Sequence, residues 1–176
     1  MSYAIQRKPV ESWGAGLMAT LPKVLQYVDK AGRDVEENQA NWGYFTNKWQ
    51  AFLELRGLSD GQSEPKFPEK YGVVERDAFY KSVSFAGWGG ASGHDAPMIA
   101  YDALLRAKDS WVELCYGAML HGGDSDSTGV MAGAWWGGVY GLESVPSCNY
   151  KKLEYLKRLE TLAKDLVNAA EARRGK

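Results

Sequence analysis

Apolar residues recur at three- and four-residue steps along most of this 176-residue chain, and no stretch keeps the two-residue alternation of a strand. Asp34 with Glu37 three residues on has the register of a capping box, and Trp42, Phe45, Trp49 and Phe52 then follow along one helical face, with Gly57 suited to end it. Residues 58–72 are rich in turn formers and read as a loop, followed by a short helix over about Val74 to Ser84. The next helix has Asp95 as its cap and Pro97 in its first turn, where the missing amide costs nothing, and runs to about Ala107. Ser110 with Glu113 repeats the capping-box spacing and opens a helix to about Leu120. Tyr150 to Ala172 gives the clearest amphipathic pattern, with Leu153, Leu156, Leu159, Leu162, Leu166 and Val167 on one face. The expectation is an all-α fold, a compact orthogonal helix bundle, with residues 1–176 forming one domain without repeats or a dividing linker.

One predicted helix breaks the usual pattern. Gly129, Gly133, Gly137 and Gly141 recur every fourth residue, although each glycine costs up to about 1 kcal/mol of helix propensity relative to alanine. A bare stripe of this kind predicts a helix at the bundle centre with another backbone close against it. A merely weak helix is the alternative.

Composition narrows the function classes. A chain of this length forms a core that buries roughly two thirds of its unfolded surface. The net charge of −1 offers no basic excess for nucleic acid or an anionic membrane. Cys115 and Cys148 lack metal-ligand spacing and are too few for a disulfide framework. No segment resembles a signal peptide or approaches the roughly 18 apolar residues of a membrane span. Cytoplasmic residence is the resulting expectation. Seven Trp and ten Tyr are unusual, and such rings fill cores or line ligand sites.

The segment His121-Gly-Gly-Asp-Ser-Asp-Ser-Thr-Gly129 carries the densest chemistry. Asp and Ser at a helix start commonly do no more than cap the first-turn amides. Carboxylates two apart on non-helical backbone, followed by a hydroxyl, also suit a hard cation such as magnesium or calcium, and Asp124, Asp126 and Ser127 would then form half of a metal site. An EF-hand loop is excluded, because its twelfth position, a bidentate Glu, is Trp135 here. The spacing Asp124-x-Asp126-x-Thr128 is shared with haloacid-dehalogenase phosphatases, but those place it after a buried strand, whereas Trp111 to Leu120 reads as a helix. A second loop, Ser84 to Asp95, sets four glycines and two aromatic residues just before a helix. Glycine permits close backbone approach, the helix start attracts phosphate, and Phe85 or Trp88 is suited to stack on a base.

Taken together, these segments resemble the C-terminal half of the ADP-ribosylglycohydrolase family, with most similarity to ADP-ribosylarginine hydrolases. The resemblance rests on His121–Thr128 running into Gly129-Val-Met-Ala-Gly-Ala-Trp-Trp-Gly-Gly-Val-Tyr-Gly141, and on Ser84–Asp102. Val35-Glu-Glu-Asn38 with Trp42, and Asn149–Tyr155, support it. It implies an all-α fold around two Mg²⁺ ions and hydrolysis of the N-glycosidic bond between ADP-ribose and a protein arginine. By this resemblance Asp124, Asp126 and Ser127 match metal ligands, and Phe85 an aromatic position facing adenine. Gly87, Trp88, Gly89, Gly90 and Ser92 fall in the ADP-ribose-binding loop, while His94 and His121 shape loops. Family members are about twice as long and carry a Thr-Asp-Asp motif in their N-terminal half, which supplies further ligands and the carboxylate acting on water. Here the only adjacent acidic pair is Glu36-Glu37, in a predicted helix start, and residues 2–28 resemble the middle of the family domain. The expected partners are therefore ADP-ribose, ADP-ribosylated arginine and a complementary N-terminal half. The alternative is a non-catalytic, ADP-ribose-binding or structural fragment.

Overall fold

The computed structural model describes residues 1–174. They form eight α-helices and no strand: α1 (Ser2–Ile5), α2 (Trp13–Ala31), α3 (Val35–Arg56), α4 (Val73–Val83), α5 (Asp95–Ala107), α6 (Trp111–Ala118), α7 (Ser125–Tyr140) and α8 (Leu156–Arg174). Contacts divide the chain into two compact units, Met1–Gly141 and Leu142–Lys176.

In the first unit α5 is the axis. Eleven of its residues are buried, among them Met98, Ile99, Tyr101, Leu104 and Leu105, and it packs against α6 and α7, while α2 packs on α3. Trp49, Phe52, Leu53 and Leu58 meet Met98, Tyr101 and Leu105 in the main cluster, with Trp13, Phe45 and Trp135 at its margin. The rings of Trp49 and Phe52 meet edge to face with centroids 5.9 Å apart, an arrangement favoured by the ring quadrupoles. Most of the tryptophans and tyrosines thus serve packing.

A charged pair lies inside this core. Arg56 Nε is 2.6 Å from Asp102 Oδ1, and both side chains are almost wholly buried. Arg56 also donates to the Tyr71 hydroxyl at 2.8 Å, which donates to Asp102 Oδ2 at 2.7 Å. The guanidinium lies 4.4–4.9 Å from the ring centroids of Phe67, Tyr71 and Phe79. Burial pushes the Asp102 carboxyl up from its ordinary range, while Arg56 and Tyr71 pull it down.

The helix pattern holds from α3 to α7, with local exceptions. Gly57 ends α3 in the left-handed conformation, φ 69°. Asp34 precedes α3 but is itself left-handed (φ 48°), and its side chain caps no amide, so the capping box there does not form. Ser110 does accept from Glu113 N at 3.3 Å, but α6 ends at Ala118. The glycine stripe of α7 is corrected in its packing. A Cβ at Gly129 would meet the Met119 side chain, one at Gly137 would meet nothing, and Gly141 lies beyond the helix. Close helix approach occurs instead at Gly117, where a Cβ would stand 2.8 Å from the Ala103 Cβ, and at Gly138, against Ala4. The central position belongs to α5 because its small and apolar residues face neighbours on all sides.

In the second unit, α8 starts six residues later than its pattern predicts. Residues 147–149 form a 3₁₀ turn, and Tyr155 adopts a left-handed φ of 59° just before the helix. Leu159, Leu162, Leu166 and Val167 are exposed. No helix among the described residues is long and apolar enough to cross a membrane.

Candidate metal and substrate site

The glycine-rich loop is held at both ends by one side chain. Asp95, fully buried at the start of α5, accepts from Ser92 N at 2.8 Å through Oδ1 and from Phe85 N at 3.1 Å through Oδ2. Asp95 therefore turns away from its own helix and clamps the loop before it. Within the loop, Ala86, Gly87 and Gly90 take left-handed φ values of 52°, 76° and 94°. The curl throws Phe85 and Trp88 outward, 63% and 60% exposed, while Gly89 and Gly90 turn inward and are buried. Ser92 has its amide committed to Asp95 and its carbonyl to Ala96 N. His94, whose Nε2 lies 3.1 Å from the Val83 carbonyl, packs edge-on against Tyr44 and takes a supporting part.

The acidic segment sits against this loop by direct backbone contact. Asp124 N donates to the Gly89 carbonyl at 2.8 Å. A side chain at Gly123 would collide with that same carbonyl. A Cβ at Gly90 would stand 2.8 Å from Thr128 Cγ2 and 2.9 Å from the Asp124 carbonyl, so the two loops mesh only as glycines.

At the start of α7, capping and metal readings of Asp124 make different demands on its carboxylate. Asp124 occupies the cap position, where the Ser127 amide lowers its carboxyl without forming a regular cap bond. Its Oδ2 instead accepts from Ser127 Oγ at 3.0 Å, and the Asp126 carboxyl lies close beside it. The contact with Asp126 pushes the Asp124 carboxyl above its ordinary range, and the Ser127 hydroxyl partly offsets this. Asp126 moves below its ordinary range, chiefly through the same neighbouring carboxyl. The opposed shifts mark two acidic groups close enough to influence each other's charge. Asp124, Asp126 and Ser127 come together as an oxygen-only set of the kind Mg²⁺ prefers. Among the described residues no cluster of three or more His, Cys, Asp or Glu side chains is placed to hold a metal.

Residues 2–176 match the ADP-ribosylglycohydrolase family. The chain belongs to this family. It is 42% identical to ADP-ribosylhydrolase ARH1 of Dictyostelium discoideum over 95% of its own length and 47% of that protein. It is 32% identical to the putative ADP-ribosyl glycohydrolase L444 of Acanthamoeba polyphaga mimivirus over 67% of its own length and 24% of that protein. The chain therefore spans about half the length of the first relative and a quarter of the second.

In this ADP-ribosylglycohydrolase chain the Phe85 and Trp88 rings of the candidate site face solvent. A cavity of about 650 Å³ lies elsewhere, between Leu21 and Val24 of α2 and Trp42 and Phe45 of α3, and its lining includes none of the candidate residues. Another, of about 320 Å³, is walled by Trp13, Trp49, Tyr101 and Trp135. The pattern of the sequence pointed to neither Asp95 as a loop clamp nor Asp77, whose Oδ1 accepts from Gly122 N at 3.3 Å. A capping signal did mark Asp95, but its partners lie upstream, at Ser92 and, ten residues away, at Phe85, which spacing alone cannot reveal.

Proposed function

We propose that this chain holds the nucleotide end of ADP-ribose and part of the metal site in Mg²⁺-dependent hydrolysis of the N-glycosidic bond between ADP-ribose and protein arginine, in the cytoplasm. The observation that carries this reading is the Asp124 carboxylate. The side chain makes no regular cap bond, accepts from the Ser127 hydroxyl and lies beside Asp126, while the Asp124 backbone is hydrogen-bonded to the glycine-rich loop. Asp124, Asp126 and Ser127 would hold the cation. Bound Mg²⁺, two ions in a complete site, would supply charge stabilisation and order the reacting oxygens. Phe85 and Trp88 offer exposed ring faces to the adenine, and Gly87, Gly89, Gly90 and the Ser92 hydroxyl shape the cradle for the rest of the ligand. Binding energy gathered there, remote from the scissile bond, positions that bond for attack.

A second reading, ADP-ribose binding without turnover, is favoured by the small donor set. Mg²⁺ takes six oxygens, and the three side chains here leave several positions for water, substrate or a complementary N-terminal half. Calorimetry with ADP-ribose, with and without Mg²⁺, run beside an assay of ADP-ribose release from modified arginine, separates the two. Release that disappears in Asp124→Ala supports hydrolysis by the chain itself. Mg²⁺-enhanced binding without release supports the second reading, and neither binding nor release contradicts both.

A further inference from the structure

We infer that His121 is a positioning residue that presets the acidic loop for its cation, an inference that rests on reading Asp124, Asp126 and Ser127 as the metal site. Three successive amides ahead of the cluster are each engaged by a group outside their own turn or by the imidazole. Gly122 N donates to Asp77 Oδ1 at 3.3 Å, Gly123 N to His121 Nδ1 at 3.1 Å, and Asp124 N to the Gly89 carbonyl at 2.8 Å. An amide can only donate, so His121 Nδ1 is the acceptor and the ring proton resides on Nε2. Nε2–H then donates to Thr128 Oγ1 at 2.8 Å, and the Thr128 hydroxyl donates to the Ala118 carbonyl at 2.6 Å. Donor and acceptor roles agree along the whole chain of bonds from Gly123 to Ala118.

The imidazole therefore ties the backbone just before Asp124 to a fully buried residue just after Ser127. The three oxygen-bearing side chains lie between its two anchor points. Tyr80 packs edge-on against the ring, centroids 5.4 Å apart at 83°, and so fixes its plane. Without such a brace, two glycines and a pair of mutually repelling carboxylates would let the segment open, and the cation would have to order it on binding. Groups that orient ligands from behind are commonly worth 10- to 100-fold in metal affinity.

Mn²⁺ titration of the chain, read by electron paramagnetic resonance, with hydrogen exchange at the Gly123 amide, tests this. His121→Phe keeps the ring and removes both bonds, whereas His121→Asn returns an acceptor near the Nδ1 position. His121→Phe should weaken Mn²⁺ binding about tenfold or more and expose Gly123 to exchange; His121→Asn should restore protection and part of the affinity. Unchanged Mn²⁺ affinity in a folded His121→Phe chain overturns the inference. Should that variant fail to fold, Thr128→Val cuts the other anchor, and unchanged affinity there overturns it equally. Wild-type chain that binds no Mn²⁺, or binding untouched by Asp124→Ala, overturns the metal-site reading itself and the inference with it. That failure shows in the wild type and the Asp124 variant, and is thus distinct from a failure at His121.

Discussion

Two carboxylate sites in the first unit have opposite designs. Asp102 lies in the core, closed on every side: Arg56 and Tyr71 take its oxygens, and three aromatic rings surround the guanidinium. Asp124 and Asp126 lie side by side at a loop edge, and no ion pair among the described residues involves either. The first arrangement satisfies its charges internally and has nothing to offer a ligand. The second concentrates negative charge that its own chain does not neutralise, in a segment clamped so that it cannot relax. Closure marks a structural charge pair, and a braced but open cluster marks a candidate for binding.

Substitutions should separate the two sites sharply. The largest effect is expected from Arg56→Met, which leaves Asp102 buried without its partner and should lower stability in urea unfolding by about 3–5 kcal/mol. The double variant Arg56→Met, Asp102→Leu should recover most of that loss, and a double variant as unstable as the single would mean that the pair contributes more than mutual neutralisation. Gly123→Ala comes next, because its methyl must displace the Gly89 carbonyl. A stability loss of about 1–3 kcal/mol is expected, together with weaker ADP-ribose binding; retained affinity would show that the loops need not mesh. Asp124→Ala should change stability by no more than about 0.5 kcal/mol, since it removes a repelling group from a surface, while Mg²⁺ binding falls at least tenfold. A stability loss comparable to that of Arg56→Met would put Asp124 in the structural class.

The smallest effect is in pH dependence. Burial, then the charge of Arg76, hold His121 below the ordinary imidazole value of 6.5. As pH falls through that value the unfolded chain takes up a proton that the folded chain still refuses, so stability is full above it and declines below, down to the lowered folded value. His121→Phe should flatten this part of the stability curve. An unchanged slope would assign it to other groups.

Much of the fold was legible because it depends on local rules. The faces of α3 and α5, the stop at Gly57 and the loop over residues 58–72 follow from periodicity and turn chemistry. The late start of α8 did not, because Tyr155 adopts a left-handed backbone that its residue type does not announce. The glycine stripe misled for a related reason: spacing shows which residues share a face, but not what faces them. At the site, the pairing of Asp124 with Asp126 and Ser127 was readable from a four-residue window. The bonds from Asp124 to Gly89, from Asp95 to Phe85 and from His121 through Thr128 to Ala118 join residues brought together by folding, and their spacing carries no periodic signal.

Anomalous diffraction from a crystal of the chain equilibrated with Mn²⁺ tests the central claim most directly. The account predicts a metal peak within coordination distance of the Asp124, Asp126 and Ser127 oxygens, with the Asp124 backbone still bonded to Gly89. No peak there, with the Asp124 carboxylate turned onto the first-turn amides of α7, would contradict it.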